Sequence, residues 1–154
     1  MKTERYKTPT ASHLFLIRDT DDGRTEVLLQ KRGKTWKEGW WDASASGHVD
    51  EGECMTASII REAKEEICVT VKKEDFTYTL CIHACYAKSG GDTYHEGFFF
   101  AKVWQGEPQV GEAEKIAEIK WFDINDLPEQ MLPDRRQAIE NFKQGIHYSE
   151  YGWD

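Results

Sequence analysis

GHVDEGECMTASIIREAKEEICV, residues 47–69, is the stretch on which the reading of this chain turns. From about Cys54 to Ile67 the spacing predicts a helix, with Ile60, Ala63 and Ile67 three and four apart as its buried stripe. Glu62, Glu65 and Glu66 stand at i, i+3 and i+4, so three carboxylates crowd one face, opposite that stripe. Like charges at this spacing weaken an isolated helix by roughly 0.2–0.5 kcal/mol per pair. A hard divalent cation removes the conflict, because Mg²⁺ and Mn²⁺ favour carboxylate and water oxygens. The plain alternative is a solvated charged face, and the surrounding sequence decides between the two.

Upstream, the apolar run TASHLFLIR (10–18) predicts a buried strand, and Asp21-Asp22-Gly23 a turn. A second strand follows over 26–32, then a loop rich in Gly and Trp, GKTWKEGWW, and a short extended piece, DASASGHV. Downstream, 76–87 and 94–104 read as two long strands around a turn at Ser89-Gly90-Gly91-Asp92, and 116–122 as a last strand. Phe98, Phe99 and Phe100 read as sheet interior with alternate rings on opposite faces. Asp123 to Leu127 resembles a short capped turn, and Asp134 to Lys143 an amphipathic helix after Pro133. Strands interleaved with two principal helices imply an α/β (α+β) sandwich, a mixed sheet between helices, in one domain over 1–154.

The chain of 154 residues is long enough for a real core, and 39% hydrophobic with 31% charged residues is a globular composition. A net charge of −8 repels nucleic-acid backbones at long range, so no polymeric nucleic acid is expected as a partner. A small phosphorylated substrate is still admitted, since a bound cation neutralises it locally. Residues 1–10 carry no apolar core of a signal peptide, and no run is long enough to cross a bilayer; a cytoplasmic protein without membrane contact is expected. Four scattered cysteines are expected to stay reduced there.

With these expectations in place, residues 47–69 resemble the box of the Nudix hydrolases, G-x5-E-x7-R-E-U-x-E-E-x-G-U, where U is a bulky aliphatic. Gly47, Glu53, Arg61, Glu62, Glu65, Glu66 and Val69 match, seven of nine specified positions at unbroken spacing. Ala63 stands where the family has a bulky aliphatic, and Cys68 where it has glycine. Glycine there suits a left-handed helix exit, in which a residue with a Cβ costs about 1 kcal/mol. The resemblance implies a Nudix-type α/β/α sandwich and metal-dependent cleavage of a diphosphate linkage. The substrate class would be a nucleoside diphosphate linked to another moiety, or a nucleoside triphosphate. It implies Glu65 and Glu66 as ligands of Mg²⁺ (or Mn²⁺), Glu62 as ligand or base, and a backbone carbonyl ligand near Gly47. Arg61 and Glu53 would pair to hold the loop against the helix.

A further acidic ligand from a later loop is common in that family; Glu112 fits best, with Glu96 and Glu114 as rivals. LLQKRGKTWKEGWWDASASGHV resembles a branch that includes isopentenyl-diphosphate isomerase. It offers Arg32, with Lys31 or Lys34, for a substrate phosphate, and Trp36 and Trp40 for stacking or the pocket entrance, while Trp41 reads as core. The isomerase reading requires a cysteine ahead of the box, and the first here is Cys54. A catalytically silent ligand-binding regulator is the other rival, set against an intact glutamate cluster. Cys81, His83 and Cys85 alternate along one strand face, which suits a half-buried sheet better than a zinc site. The aromatic tail HYSEYGWD is expected to dock on the domain or on a second subunit in a homodimer.

Overall fold

In a computed structural model, which describes residues 3–154, the chain forms eight strands and two α-helices. The strands are β1 (Thr10–Asp19), β2 (Thr25–Arg32), β3 (Trp41–Asp42), β4 (Ala45–His48), β5 (Phe76–Cys85), β6 (Thr93–Ala101), β7 (Ile116–Asp123) and β8 (Tyr148–Tyr151). The helices are α1 (Met55–Ile67) and α2 (Pro133–Gln144), the latter opening on Pro133 and closing on left-handed Gly145.

Strand β1 is apolar along nearly its whole length because both faces of the sheet are covered. Its side chains divide by parity: Leu14 and Leu16 join Ile59, Ala63 and Ile67 under α1, while Phe15 and Ile17 join Ala138 and Ile139 under α2. Strand β6 repeats the division, with Phe99 on the α1 side and Phe98 and Phe100 on the α2 side. The result is the expected α/β/α sandwich. The sheet is mixed, running β3-β2-β1-β6-β5-β8, with β1·β6 and β5·β8 parallel.

The feature that positions the site is a split beside β1. Ala11–Leu14 pair antiparallel with β4, and Ile17–Asp19 pair antiparallel with β2, on the edge away from β6. The gap between β4 and β2 is stitched by Ser44, whose hydroxyl accepts from Leu16 N–H at 2.9 Å and donates to Leu28 C=O at 2.5 Å. Strand β4 therefore leaves the sheet with one edge unpaired, and α1 lies against it.

Several boundaries differ from the sequence reading. The extended piece is two short strands, and the two long strands expected over 76–87 and 94–104 stop at Cys85 and Ala101. The tail adds β8 beside β5, where Trp153 donates to His83 C=O at 2.8 Å, so it docks on its own domain. The buried stripe of α1 is Ile59–Ala63–Ile67, with Ile60 only half-buried. The i, i+4, i+8 row packs on the sheet, and this rotation carries Glu62 and Glu66 to the buried flank while Glu65 turns to solvent. The three carboxylates are therefore not equivalent, nor opposite the stripe.

Candidate active site

The site is assembled from the end of α1, the open edge of β4 and one loop after β6. Cys68 ends the helix in the left-handed region, φ 61°, as the sequence reading anticipates for the box glycine position. The carbonyls this leaves unpaired are met by a distant segment: Gln109 N–H donates to Ile67 C=O at 3.1 Å and Gly111 N–H to Glu66 C=O at 2.8 Å. Gly111 cannot carry a side chain, since a Cβ there would run into Glu65 C=O and lie 3.0 Å from Cys68 Sγ. This backbone clasp delivers the next residue, Glu112, beside α1.

Glu62, Glu66 and Glu112 then converge, with one carboxylate oxygen from each within 4.8 Å of the other two. Glu112 Oε2 pairs with Lys115 at 3.2 Å, while Oε1 is buried without a hydrogen-bond partner. Burial raises the pKa of Glu62, and burial pushes Glu66 up to about 8 despite hydrogen bonds from Ser46 N–H (2.8 Å) and Gln30 Nε2 (3.2 Å) to its Oε1. Three convergent carboxylates and a buried unpartnered oxygen form an oxygen donor set short of positive charge. That fits a hard divalent cation. Gly47 belongs to the same geometry: a Cβ there would overlap the Glu62 carboxylate and stand 2.6 Å from its Cγ.

Arg61 organises the flank. It donates to Glu53 Oε1 at 2.7 Å and Oε2 at 3.3 Å, and to Glu62 Oε1 at 2.9 Å, with Glu65 Oε2 at 3.5 Å. Glu53 Oε1 also accepts from Asp50 N–H at 2.9 Å, so this fork ties the loop before α1 to the helix. The hydrogen bond from Arg61 holds the Glu53 carboxyl below its ordinary range. Glu65 lies outside the convergent group, half-exposed.

Of the rivals to Glu112, Glu96 is buried with Arg135 and His13 instead, and Glu114 lines a groove together with Ala113, the residue that follows Glu112. That groove, about 430 Å³, lies between Lys31, Arg32 and Lys34 on one wall and Glu114 on the other. Arg32 is held there, with Nη1 on Asp42 at 2.7 Å, Nε on Trp36 C=O at 2.5 Å, and its guanidinium 5.3 Å from the Trp36 ring. Trp36 is exposed, Trp40 half-buried, and Trp41 packs edge-on against Phe122. Cys81, His83 and Cys85 do not converge with a further ligand among the described residues; His83 instead stacks on His95, with the Trp153 ring tilted against it.

Residues not assigned in the sequence reading also enter. Gln30 and Ser46 hold Glu66, and on the other face of β4 His13, Asp42, Asp134 and Arg135 form a buried polar cluster with Glu96, the rival already named. The signals were present, as a histidine inside an apolar run and an aspartate and serine inside WDASAS.

A NUDIX domain profile matches residues 7–142. The chain is 28% identical to the dihydroneopterin triphosphate diphosphatase of Escherichia coli K12, across 92% of this chain and 97% of that one. It is 31% identical to an uncharacterised Nudix hydrolase of Listeria innocua, across 77% and 68%. Its fold is similar to the crystal structure of a MutT NUDIX hydrolase from Burkholderia pseudomallei, with TM-score 0.71 at 24% identity over 88% and 98%. Among the described residues, no helix is long and apolar enough to cross a membrane.

Proposed function

The chain belongs to the Nudix family, and from that premise we propose that it hydrolyses a diphosphate linkage in a nucleoside triphosphate or a nucleoside diphosphate joined to another moiety, using Mg²⁺ or Mn²⁺. The observation that carries this reading is the convergence of Glu62, Glu66 and Glu112 within 4.8 Å, with one buried Glu112 oxygen left unpaired. These three, with the carbonyl near Gly47, are the proposed ligands. Glu65 faces solvent beside Arg61, where it would be free to meet a cation bound to the diphosphate. A cation held there supplies neutralisation of phosphate charge and a better leaving group.

The chain's own groups do the rest. Glu62 offers one oxygen to the ligand set, and its carboxylate is the proposed alternative acceptor of the attacking water's proton if it is not held by the cation. Arg61 and Glu53 keep that carboxylate and its loop in register. The groove beside Glu114 receives the remainder of the substrate, with Arg32 on its wall and Trp36 at its rim. The Escherichia coli relative acts, by its name, on a triphosphate, so triphosphates head the substrates to test. A small soluble substrate, rather than a polymer or a membrane, is the proposed partner.

The test is a screen with Mg²⁺ or Mn²⁺ against nucleoside and pterin triphosphates, dinucleoside polyphosphates, nucleotide sugars and isopentenyl diphosphate. Hydrolysis lost in Glu66→Gln and Glu112→Gln supports the reading. Inactivity on the whole panel, with Mn²⁺ binding equal in wild type and Glu66→Gln, refutes it.

A further inference from the structure

Strand β4 separates two polar environments. Its Ala45 and Gly47 side faces α1 and the carboxylates; its Ser46 side faces α2 and the buried cluster. Ser46 is the residue that touches both. Its N–H donates to Glu66 Oε1 at 2.8 Å from the unpaired edge, and its Oγ lies 2.7 Å from His13 Nδ1 and 3.4 Å from Asp42 Oδ1.

His13 is nearly completely buried and stacks on Phe98 with ring centroids 4.6 Å apart. Behind it, Glu96 is occupied by Arg135 (3.3 Å) and by the Tyr86 hydroxyl (2.9 Å), and Arg135 also donates to Asp42 at 2.8 Å and to Asp134. The imidazole is therefore wedged between a ring and an ion network anchored on α2. We propose that His13, by fixing Ser46, is a positioning residue for Glu66, and so for the cation that the proposed function places there.

Two facts give the proposal its direction. Both protein hydrogen bonds to Glu66 fall on Oε1, from Ser46 and Gln30, which leaves Oε2 as the ligating oxygen. A shift of β4 by a fraction of an ångström rotates that carboxylate and moves the ligand. The order Ser46–His13–Glu96 also has the connectivity of a nucleophile relay. Yet His13 Nε2, 3.4 Å from Glu96, makes no hydrogen bond, and burial with Arg135 nearby lowers the imidazole pKa to about 3. Such a ring is too weak a base to activate a serine; it holds rather than activates.

The proposal rests on the metal reading above, and one experiment separates their fates. Mn²⁺ binding to the substrate-free protein is measured by electron paramagnetic resonance for wild type, Glu66→Gln, Ser46→Ala, His13→Ala, His13→Asn and the double variant Ser46→Ala/His13→Ala, with urea unfolding of each. Outer-sphere partners of metal ligands are worth roughly 10- to 100-fold in affinity. Ser46→Ala and His13→Ala are expected to weaken Mn²⁺ about 10-fold. The double variant should be no weaker than the worse single one, and His13→Asn, which keeps a polar atom near the Nδ1 position, should recover most of the loss. With a hydrolysed substrate, kcat should fall while KM holds. Ser46→Ala carries the test if His13→Ala does not fold. Mn²⁺ affinity within twofold of wild type in Ser46→Ala, while Glu66→Gln abolishes binding, overturns the positioning role and leaves the metal site intact. Multiplying effects in the double variant also overturn it. A wild type that binds no Mn²⁺ overturns both readings.

Discussion

Gly47→Ala adds one methyl group at the point where α1 and β4 come closest. The backbone at Gly47 is outside the left-handed region, so alanine meets no conformational penalty there and the whole effect comes from space. The new Cβ would stand 2.6 Å from Glu62 Cγ and closer still to its carboxylate, where ordinary contact begins at 3.4 Å. The Glu62 side chain must therefore retreat by about 1 Å, and it can do so by displacing the half-buried Arg61 side chain that it meets. The stability cost is then small, about 1 kcal/mol for the strained hydrogen bond to Arg61. The functional cost is large, since a misplacement of about 1 Å in a reacting constellation is worth roughly 100-fold. Urea unfolding, Mn²⁺ titration and steady-state hydrolysis of whichever substrate the panel yields would be compared. The expected result is a nearly unchanged midpoint with metal affinity and kcat down by about two orders of magnitude. A variant that loses several kcal/mol of stability yet binds Mn²⁺ normally would refute the claim that Glu62 is what yields.

Cys68→Gly should stabilise the protein by about 1 kcal/mol, because the residue sits at φ 61° where a Cβ is strained; a lowered urea midpoint would mean that Sγ packing at Gly111 outweighs the strain. For His13, burial lowers the folded pKa to about 3 from 6.5, so its contribution is present above 6.5 and is lost as pH falls toward 3. Asp134 works in the opposite sense: burial pushes it up to about 6, so the folded state takes up that proton first and gains on acidification between about 6 and 3.8. Asp42, Glu96 and Arg135 complete the ring of charges, with Asp42 kept at about 2 because Arg135 and other nearby positive charge outweigh its burial. The two linkages offset each other in wild type. His13→Asn should therefore gain stability relative to wild type by roughly 1 kcal/mol per pH unit below pH 6.5. A difference that stays flat from pH 6.5 to 4 would contradict the buried neutral imidazole.

Much of this was legible in the chain itself, for reasons that can be named. The helix over residues 55–67 and the strand at 10–19 were readable because apolar spacing survives in any environment that buries it. The rotation of α1 was not, since Ile59 and Ile60 are chemically alike and only the sheet chooses between them. That one choice separates Glu62 and Glu66 from Glu65. Among three acidic candidates in later segments, Glu112 is brought to the cluster by the backbone clasp at Gly111, a contact with no side-chain signature beyond the glycine. That Gln30 and Ser46 hold Glu66 was not readable, because it depends on which strands come to lie beside α1, a property of topology rather than composition. The ion network behind His13 gathers residues from four distant segments, which local pattern does not reveal.

The central place of β1 has a consequence for the chain as it is made. Its partner on one side, β4, follows soon in sequence, but its partner on the other, β6, emerges only after most of the chain has been synthesised. Until then a ribosome-bound intermediate carries ASHLFLI with one long apolar edge bare, the kind of segment that seeks pairing with any neighbouring chain. Local helices can form early, but closing the sheet waits on contacts of long sequence separation, which are slow to find. Yield during expression should therefore depend more on temperature and on chaperones that shield nascent strands than on the stability of the finished domain.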